Sequence, residues 1–293
     1  MKYRKSGGEI AAQAALYILL TALAIVTFYP MWHVLMASIS DGNKIVQHTG
    51  LLFAPEGFSV AAYKIVLQNS SIITGYLNTF FYVIVGTTLN LVLTTLGAYV
   101  LSRRNFLWRT PAMMMILFTM FFSGGMIPTF LLVEGLGLVD SRLALILPMA
   151  VNTYNLVIMR TSFAAVPESL EESAKIEGAN DLVVLLHIFI PVSGSVIAVM
   201  VLYYAVAHWN SWFPALLYLR TRALYPLQLI LREILIMNSM DSMRENIDFG
   251  DLDRVTDTIK YATIVVATLP ILLLYPFLQK YFVKGVMIGA VKG

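Results

Sequence analysis

The residues of this chain best suited to recognition chemistry form a short charged segment, residues 171–179, between two long apolar runs. Pro167 suits the first position of a helix, and the glutamates that follow it lie where the helix dipole favours anions. Gly178 suits a reversal at the helix end, and Asn180 or Asp181 can cap a second helix. The segment therefore predicts a helix, a tight turn and a helix offered to a soluble partner. By itself the pattern also fits a surface loop with one helical turn.

Several other kinds of chemistry are excluded or disfavoured. The chain contains no cysteine, so thiol catalysis, disulfides and cysteine-ligated metals are excluded. Its four histidines lack the spacing of a metal site, and we expect neither a metal ion nor a cofactor on this chain. The Gly-x-x-x-x-Gly-Lys-Ser/Thr pattern of a P-loop is absent. We therefore expect that the chain is no enzyme and that any ATP-driven motor is another subunit.

The composition indicates a membrane protein. Of the 293 residues, 58% are hydrophobic and 13% are charged, whereas soluble domains carry about 25% charged residues. The net charge of +3 arises from basic clusters beside apolar runs, which favours membrane topology over a nucleic-acid partner. A helix needs about 20 apolar residues to cross a bilayer. We therefore predict an all-α protein with six transmembrane helices, at about 11–36, 74–101, 111–133, 143–163, 188–212 and 259–279.

The distribution of lysine and arginine predicts the orientation, because cytoplasmic loops carry more of them. Eleven lysines and arginines lie in or beside the N-terminal tail, the loop at 102–110, the segment 164–187 and the C-terminal tail 280–293, whereas the two short loops between them hold three. We therefore expect both termini and the charged segment in the cytoplasm.

The predicted spans contain no aspartate or glutamate. Acidic residues within spans mark proton and ion pathways, so their absence counts against an ion-driven secondary transporter. That class remains the alternative function.

Two of the predicted spans are interrupted. Gly124, Gly125 and Pro128 break the third span, and Pro148 breaks the fourth. Ordinary kinks and helices bent around a pathway both fit this pattern. Outside the spans, residues 227–235 have the period of an amphipathic helix.

The charged segment resembles a known signature. The pattern comprises Glu172, Ala174, Glu177, Gly178 and Ala179, with Pro191 further along. It is similar to the EAA signature of permease subunits in binding-protein-dependent ABC importers, with Ser173 in place of an alanine and Glu177 in place of the commoner aspartate. Other stretches resemble the carbohydrate-uptake branch of the maltose-importer class, and most of all its permeases for complex oligosaccharides. They include residues 55–59, 123–129, 209–215 and 280–293.

The resemblance implies a complete transport complex. Residues 1–293 would form one ABC importer transmembrane domain, with 164–187 as a coupling segment that docks on an ATPase and transmits its closure. The implied partners are a second, non-identical permease subunit, two ATPase subunits that bind ATP and Mg²⁺, and an extracytoplasmic solute-binding protein. The chain would be a multi-pass protein in the lipid of the bacterial cytoplasmic (inner) membrane. It would translocate an oligosaccharide by alternating access.

Residues that could contact such a cargo lie in the fourth and fifth predicted spans. Sugars are bound through stacked aromatic rings and planar amides. The candidates are Asn152, Tyr154, Asn155, Tyr203, Trp209, Asn210 and Trp212. The tryptophans also fit an aromatic belt at the membrane surface, and the asparagines also fit hydrogen bonds between helices.

A further candidate surface lies after the fifth span. Tyr218, Arg220 and Arg222 could contact the binding protein, or the arginines could guide an acidic cargo because their guanidinium groups bind carboxylates through two hydrogen bonds. An acidic oligosaccharide, such as an alginate or pectin fragment, is therefore the alternative cargo. Solvated loop arginines fit equally.

Overall fold

The computed structural model describes residues 7–236 and 258–273. Within these ranges the chain forms helices and no strand, apart from one isolated antiparallel bridge between Ser40 and Phe58. This agrees with the all-α membrane protein that the composition predicts.

The helices are numbered in chain order. The α-helices are α1 Gly7–Ser38, α2 Gly42–Gln47, α3 Ala61–Gln68, α4 Ser70–Ser102, α5 Arg109–Phe121, α6 Met126–Gly135, α7 Leu143–Ile146, α8 Thr153–Ala164, α9 Glu168–Ile176, α10 Asp181–Val184, α11 Ile190–Val192, α12 Gly194–Trp209, α13 Phe213–Tyr218, α14 Leu227–Ile236 and α15 Thr258–Leu273. Turns of 3-10 helix lie at Leu147–Met149 and Arg222–Leu224, and a π-helical turn lies at Leu185–Phe189. The amphipathic helix predicted at 227–235 is α14.

The chain divides into two compact units, Met1–Asn69 with Ile234–Thr268 and Ser70–Glu233 with Leu269–Gly293. In the first unit, most of α1 is exposed and apolar, as suits a helix surrounded by lipid. A small core there contains Met36, Ala37 and Leu52. The single transmembrane domain expected for the whole chain stays a prediction.

The second unit is organised around α4, which packs against α8 and α12. Small and polar residues on α4 let the helices approach closely and form hydrogen bonds between them. Near the end of α4, the ring of Phe189 meets the rings of Tyr99 and Phe163 edge to face, at centroid distances of 5.2 and 5.6 Å. All the candidate site residues lie in this unit.

Three apolar helix pairs in the second unit are sharply bent. The angles are 115° between α5 and α6, 50° between Leu143–Met149 and α8, and 86° between Asp181–Val192 and α12. The glycines before α6 and Pro148 predicted the first two breaks. The third, at Ser193, was not predicted.

Among the residues that the structure describes, α1 and α4 are each long and apolar enough to cross a membrane, and up to five spans are possible if each bent pair counts as one. The last predicted span begins with α15, a shorter apolar helix, and its residues 274–279 lie outside the described residues. The tail 280–293 also lies outside them. The count of six spans and the orientation therefore stay predictions.

Candidate functional site

The charged segment folds as a helix, a turn and a second helix. At the end of α9, the Ala179 N–H donates to the carbonyl of Ala174 at 2.9 Å, and the Gly178 N–H donates to the carbonyl of Lys175 at 3.0 Å. This pair of bonds is a Schellman motif, which places the residue after the helix cap in the left-handed region. Gly178 occupies that position with φ +87°, a conformation that suits glycine because it has no Cβ. The reversal predicted at Gly178 is confirmed.

The helix after the turn is capped locally and then interrupted. The Asn180 side chain accepts a hydrogen bond from the Val183 N–H at 2.9 Å, so Asn180 is the N-cap of α10. A π-helical turn follows and leads directly into the short helix that contains Pro191. Proline has no N–H to donate, and such wide turns often accompany interrupted helices. Pro191 therefore lies between the charged segment and the 86° bend that leads into α12.

The signature residues divide between two faces. Glu172 and Glu177 are exposed, and the nearby Ile176 side chain is 87% exposed. Ala174 and Ala179 instead pack against the hydrophobic core. The segment thus presents acids and one large apolar side chain outward, while its small residues let it lie close to the rest of the unit.

Glu171, which lies beside the signature, was not singled out by the sequence analysis. Its carboxylate contacts the guanidinium of Arg103 and lies 2.8 Å from the Lys175 Nζ. Burial opposes ionisation, but the hydrogen bonds from Lys175 and Arg103 outweigh it and hold the pKa of Glu171 below its usual range. The hydrogen bond between Lys175 and Glu171 also raises the pKa of Lys175. The spacing of four residues between Glu171 and Lys175 could have indicated their pairing, whereas nothing local could have indicated Arg103.

A cavity of about 760 Å³ lies beside α4, α8 and α12. Of the predicted cargo residues, those that line it are Asn152, Tyr154, Asn155, Tyr203 and Trp209. Asn210 and Trp212 are not among its lining residues, and the Trp212 ring is instead covered by the guanidinium of Arg232 at 3.6 Å from its centroid. Trp209 is buried and meets Tyr76 and Phe80 edge to face.

Polar side chains that the sequence analysis missed hold the broken fourth span beside this cavity. The Asn90 amide donates to the carbonyls of Met149 and Ala150, at 2.5 and 3.0 Å, and its oxygen lies 2.8 Å from the His208 Nε2. These bonds satisfy backbone groups that the break between Met149 and α8 leaves without helical partners.

The hydroxyl group of Tyr204 completes this support. Tyr204 shares a 2.6 Å hydrogen bond with Thr94 and accepts from the Asn152 N–H at 3.3 Å. The Asn152 side chain in turn caps α8 by accepting from the Asn155 N–H at 3.1 Å. Asn152 thus has a structural role in addition to lining the cavity.

The three residues predicted to contact a binding protein differ in exposure. Tyr218 is buried and its ring stacks on Phe130. Arg220 is exposed, and Arg222 is exposed with a 3.4 Å contact to Glu233. The contact itself stays a prediction, and its accessible members are the two arginines.

Asp140 shapes the loop that carries these arginines. It lies in the left-handed region with φ 59°, and its carboxylate accepts from the N–H groups of Arg220 and Thr221 and from the Thr221 hydroxyl. The Thr221 hydroxyl, followed by the two N–H groups, holds the pKa of Asp140 below its usual range. In the part of the chain that the structure describes, no group of three or more His, Asp or Glu side chains could hold a metal ion.

The structure combines bent apolar helices, a cavity lined with amides and aromatic rings, and a charged helix–turn–helix. These are features of a membrane transport subunit. No model of a known protein family matches the chain. The chain is 44% identical over 279 residues to the polygalacturonan/rhamnogalacturonan transport system permease protein YtcP of Bacillus subtilis, covering 95% of this chain and 97% of YtcP. It is 40% identical over 281 residues to protein LplC of Bacillus subtilis, covering 94% and 93%.

A solved structure is similar over nearly the same length. A chain from the crystal structure of a bacterial ABC transporter involved in the import of the acidic polysaccharide alginate matches with a TM-score of 0.87 and 32% identity, covering 95% of this chain and 99% of that one. The chain belongs to the family of sugar and oligosaccharide permeases of ABC transport systems, the membrane components of binding-protein-dependent importers. The resemblance found in the sequence is confirmed.

Proposed function

We propose that this chain is one of two non-identical permease subunits of an ATP-driven importer, and that the complex carries an acidic oligosaccharide across the bacterial cytoplasmic membrane. The observation that carries this proposal is the charged helix–turn–helix of α9 and α10, with Glu172 and Glu177 exposed on a segment that is otherwise tied to the helices beside the cavity. Two ATPase subunits bind ATP and Mg²⁺, and an extracytoplasmic binding protein delivers the sugar.

The coupling role rests on the geometry of α9. The helix and its turn are closed by their own hydrogen bonds, so they can move as one body. Ile176 offers an apolar side chain for burial in a partner, and the exposed glutamates offer charge complementarity around it. This arrangement suits a contact that forms with an ATPase in the cytoplasm, with both chain termini on the same side.

The nature of the cargo rests on the similar proteins and on the loop after α13. YtcP is described as a polygalacturonan/rhamnogalacturonan permease, and the similar crystal structure concerns alginate import. All three polymers include acidic sugars. Arg220 and Arg222 are exposed and could attract carboxylates, while the cavity offers amides and aromatic rings for hydroxyl groups and sugar faces.

The first experiment purifies the tagged chain from membranes in mild detergent and identifies its stoichiometric companions. The proposal requires a second permease chain and an ATPase. In proteoliposomes containing the complex, a binding protein with a short oligogalacturonate should stimulate ATP hydrolysis, and a neutral oligosaccharide of equal length should not. Recovery of the chain alone, under conditions that keep such complexes whole, would refute the ATP-driven importer complex and favour an ion-driven carrier. Stimulation by the neutral sugar would overturn only the acidic cargo.

Variants of the signature test the coupling role. Glu172→Lys reverses an exposed charge, and Gly178→Asp places a side chain at a left-handed position. Both should abolish uptake while the chain stays in the membrane. Glu134→Lys reverses an exposed charge elsewhere and should leave uptake intact. Full uptake by both signature variants would remove the coupling assignment.

A further inference from the structure

Arg103 occupies a junction between the charged segment and the helices beside the cavity. It directly follows the last residue of α4, yet its side chain is only 14% exposed. Its guanidinium contacts the Glu171 carboxylate on α9 and donates to the Phe163 carbonyl at the end of α8, at 3.1 Å. It also lies over the Phe189 ring, 4.2 Å from the ring centroid.

These contacts match the properties of arginine. A guanidinium presents N–H donors in a fixed plane and also stacks on aromatic faces, so one side chain can bind several elements in a defined geometry. The Glu171 carboxylate is shared with Lys175 and has a side-chain exposure of only 11%. A buried pair of this kind is costly to break from one side, because the remaining charge loses its partner.

The elements that meet at Arg103 continue to the cavity. Asn90 on α4 and Asn155 on α8 line it. Phe189 precedes Pro191 and the bend into α12, which supplies Tyr203. A displacement of α9 that pulls on Glu171 would therefore reach three cavity-lining helices through one guanidinium.

We propose that Arg103 is the positioning residue that transmits movement of α9 to α4, α8 and α12, with Glu171 as its contact on α9. This inference rests on the proposed function, because it requires an ATPase that moves α9. It adds residues outside the EAA signature to the coupling pathway.

A neighbouring ion pair provides a matched control. Arg104 lies 2.9 Å from Glu168, which is also on α9, so this pair joins the same two elements. Its side chains are 77% and 52% exposed. Exposed pairs contribute little to stability and cannot hold helices in a fixed relation. Arg104→Ala should therefore preserve transmission that Arg103→Ala abolishes.

The test uses the complete complex, with spin labels on cysteines introduced at Tyr154 on α8 and Leu202 on α12. The native chain has no cysteine, so no other site on it is labelled. The distance between the labels is measured without nucleotide and after ATP trapping with vanadate, which requires no cargo. Uptake per ATP hydrolysed is measured on the same Arg103, Arg104 and Glu171 variants without the labelling cysteines, with oligogalacturonate as the probe.

We expect the label distance to change on ATP trapping in the unsubstituted complex and with Arg104→Ala. With Arg103→Ala the change should be lost and uptake per ATP should fall about tenfold, while ATP hydrolysis continues. Arg103→Lys keeps the positive charge but lacks the planar guanidinium, so it should recover part of the distance change and part of the uptake. If the Arg103→Ala complex does not assemble, Arg103→Lys and Glu171→Gln are measured in its place.

The outcomes separate this inference from the proposed function. An unsubstituted complex that contains no ATPase would refute both. If ATP trapping changes the label distance equally in the unsubstituted complex and in the Arg103 and Glu171 variants, the Arg103 pathway is wrong. The permease function would then still stand. An equal loss in Arg104→Ala would also overturn it, because burial of the Arg103 pair would then not be the cause.

Discussion

The His208 Nε2 lies 2.8 Å from the side-chain oxygen of Asn90, and both side chains are buried. Because the Asn90 nitrogen faces the carbonyls of Met149 and Ala150, its oxygen faces the imidazole and His208 must donate from Nε2. One hydrogen-bonded chain thus runs from α12 through α4 to the break before α8. It holds the interrupted helix where Asn152 and Asn155 line the cavity.

Replacing Asn90 with leucine should destabilise the subunit. The substitution removes the donor to two partly buried carbonyls and leaves the buried His208 N–H without its acceptor, at a cost of about 1–3 kcal/mol. We expect a lower Tm of the purified complex in detergent and a loss of uptake. Thr88→Val is the control, because Thr88 is on the same helix but exposed and bonds only to the Ile84 carbonyl. Equal Tm values for Asn90→Leu and Thr88→Val would contradict the role given to Asn90.

Gly86→Ala should sterically disturb the hydrogen bonds that run from His208 through Asn90. A Cβ at Gly86 would lie 2.4 Å from the His208 Nε2, so the imidazole would have to move. Overpacking of this kind costs about 1–3 kcal/mol. Gly97→Ala on the same helix brings its Cβ to 3.3 Å from a flexible Leu156 methyl group and should lower the Tm less. The prediction fails if the two alanine variants melt at the same temperature.

The contribution of Glu171 to stability should depend on pH. Because its pKa in the folded chain is below the usual 4.5, the ionised group stabilises the fold above that value, and the effect is lost as the pH falls through the folded pKa. The Tm difference between the unsubstituted protein and Glu171→Gln should therefore be constant from about pH 6 to pH 8 and shrink below about pH 4.5. Glu172→Gln should show little difference throughout. A Glu171 difference that grows on acidification would contradict the sign.

Asp140 should control the order of the arginine loop. Asp140→Ala removes acceptors for two N–H groups and one hydroxyl and strains a left-handed backbone. Asp140→Asn tolerates that backbone and keeps an acceptor, so it should be intermediate. Amide hydrogen exchange at Arg220 and Thr221 should accelerate in the order unsubstituted, Asn, Ala. Thr221→Val removes only the hydrogen bond from the hydroxyl group, so it should accelerate exchange about as much as Asp140→Asn does. Unchanged exchange in Asp140→Ala would show that the carboxylate does not order the loop.

Local signals explain what could be predicted. The end of α9 at Gly178 and the cap of α10 at Asn180 depend on residues within one turn, so the charged helix–turn–helix could be predicted closely. The breaks near Gly125 and Pro148 were visible for the same reason, but their angles of 115° and 50° were not. A bend angle depends on which side chains from other helices support the opened backbone.

The sequence by itself determined the helical membrane character and the position of the charged segment, because long apolar runs and caps act through neighbouring residues. It also carried the family resemblance. Only the tertiary structure decided that Arg103 meets Glu171 across 68 residues, that His208 meets Asn90 across 118, and that Tyr218 is buried while Arg220 is exposed. Pairings at such separations depend on how bent helices pack in three dimensions, and no periodicity or local spacing along the chain encodes them directly.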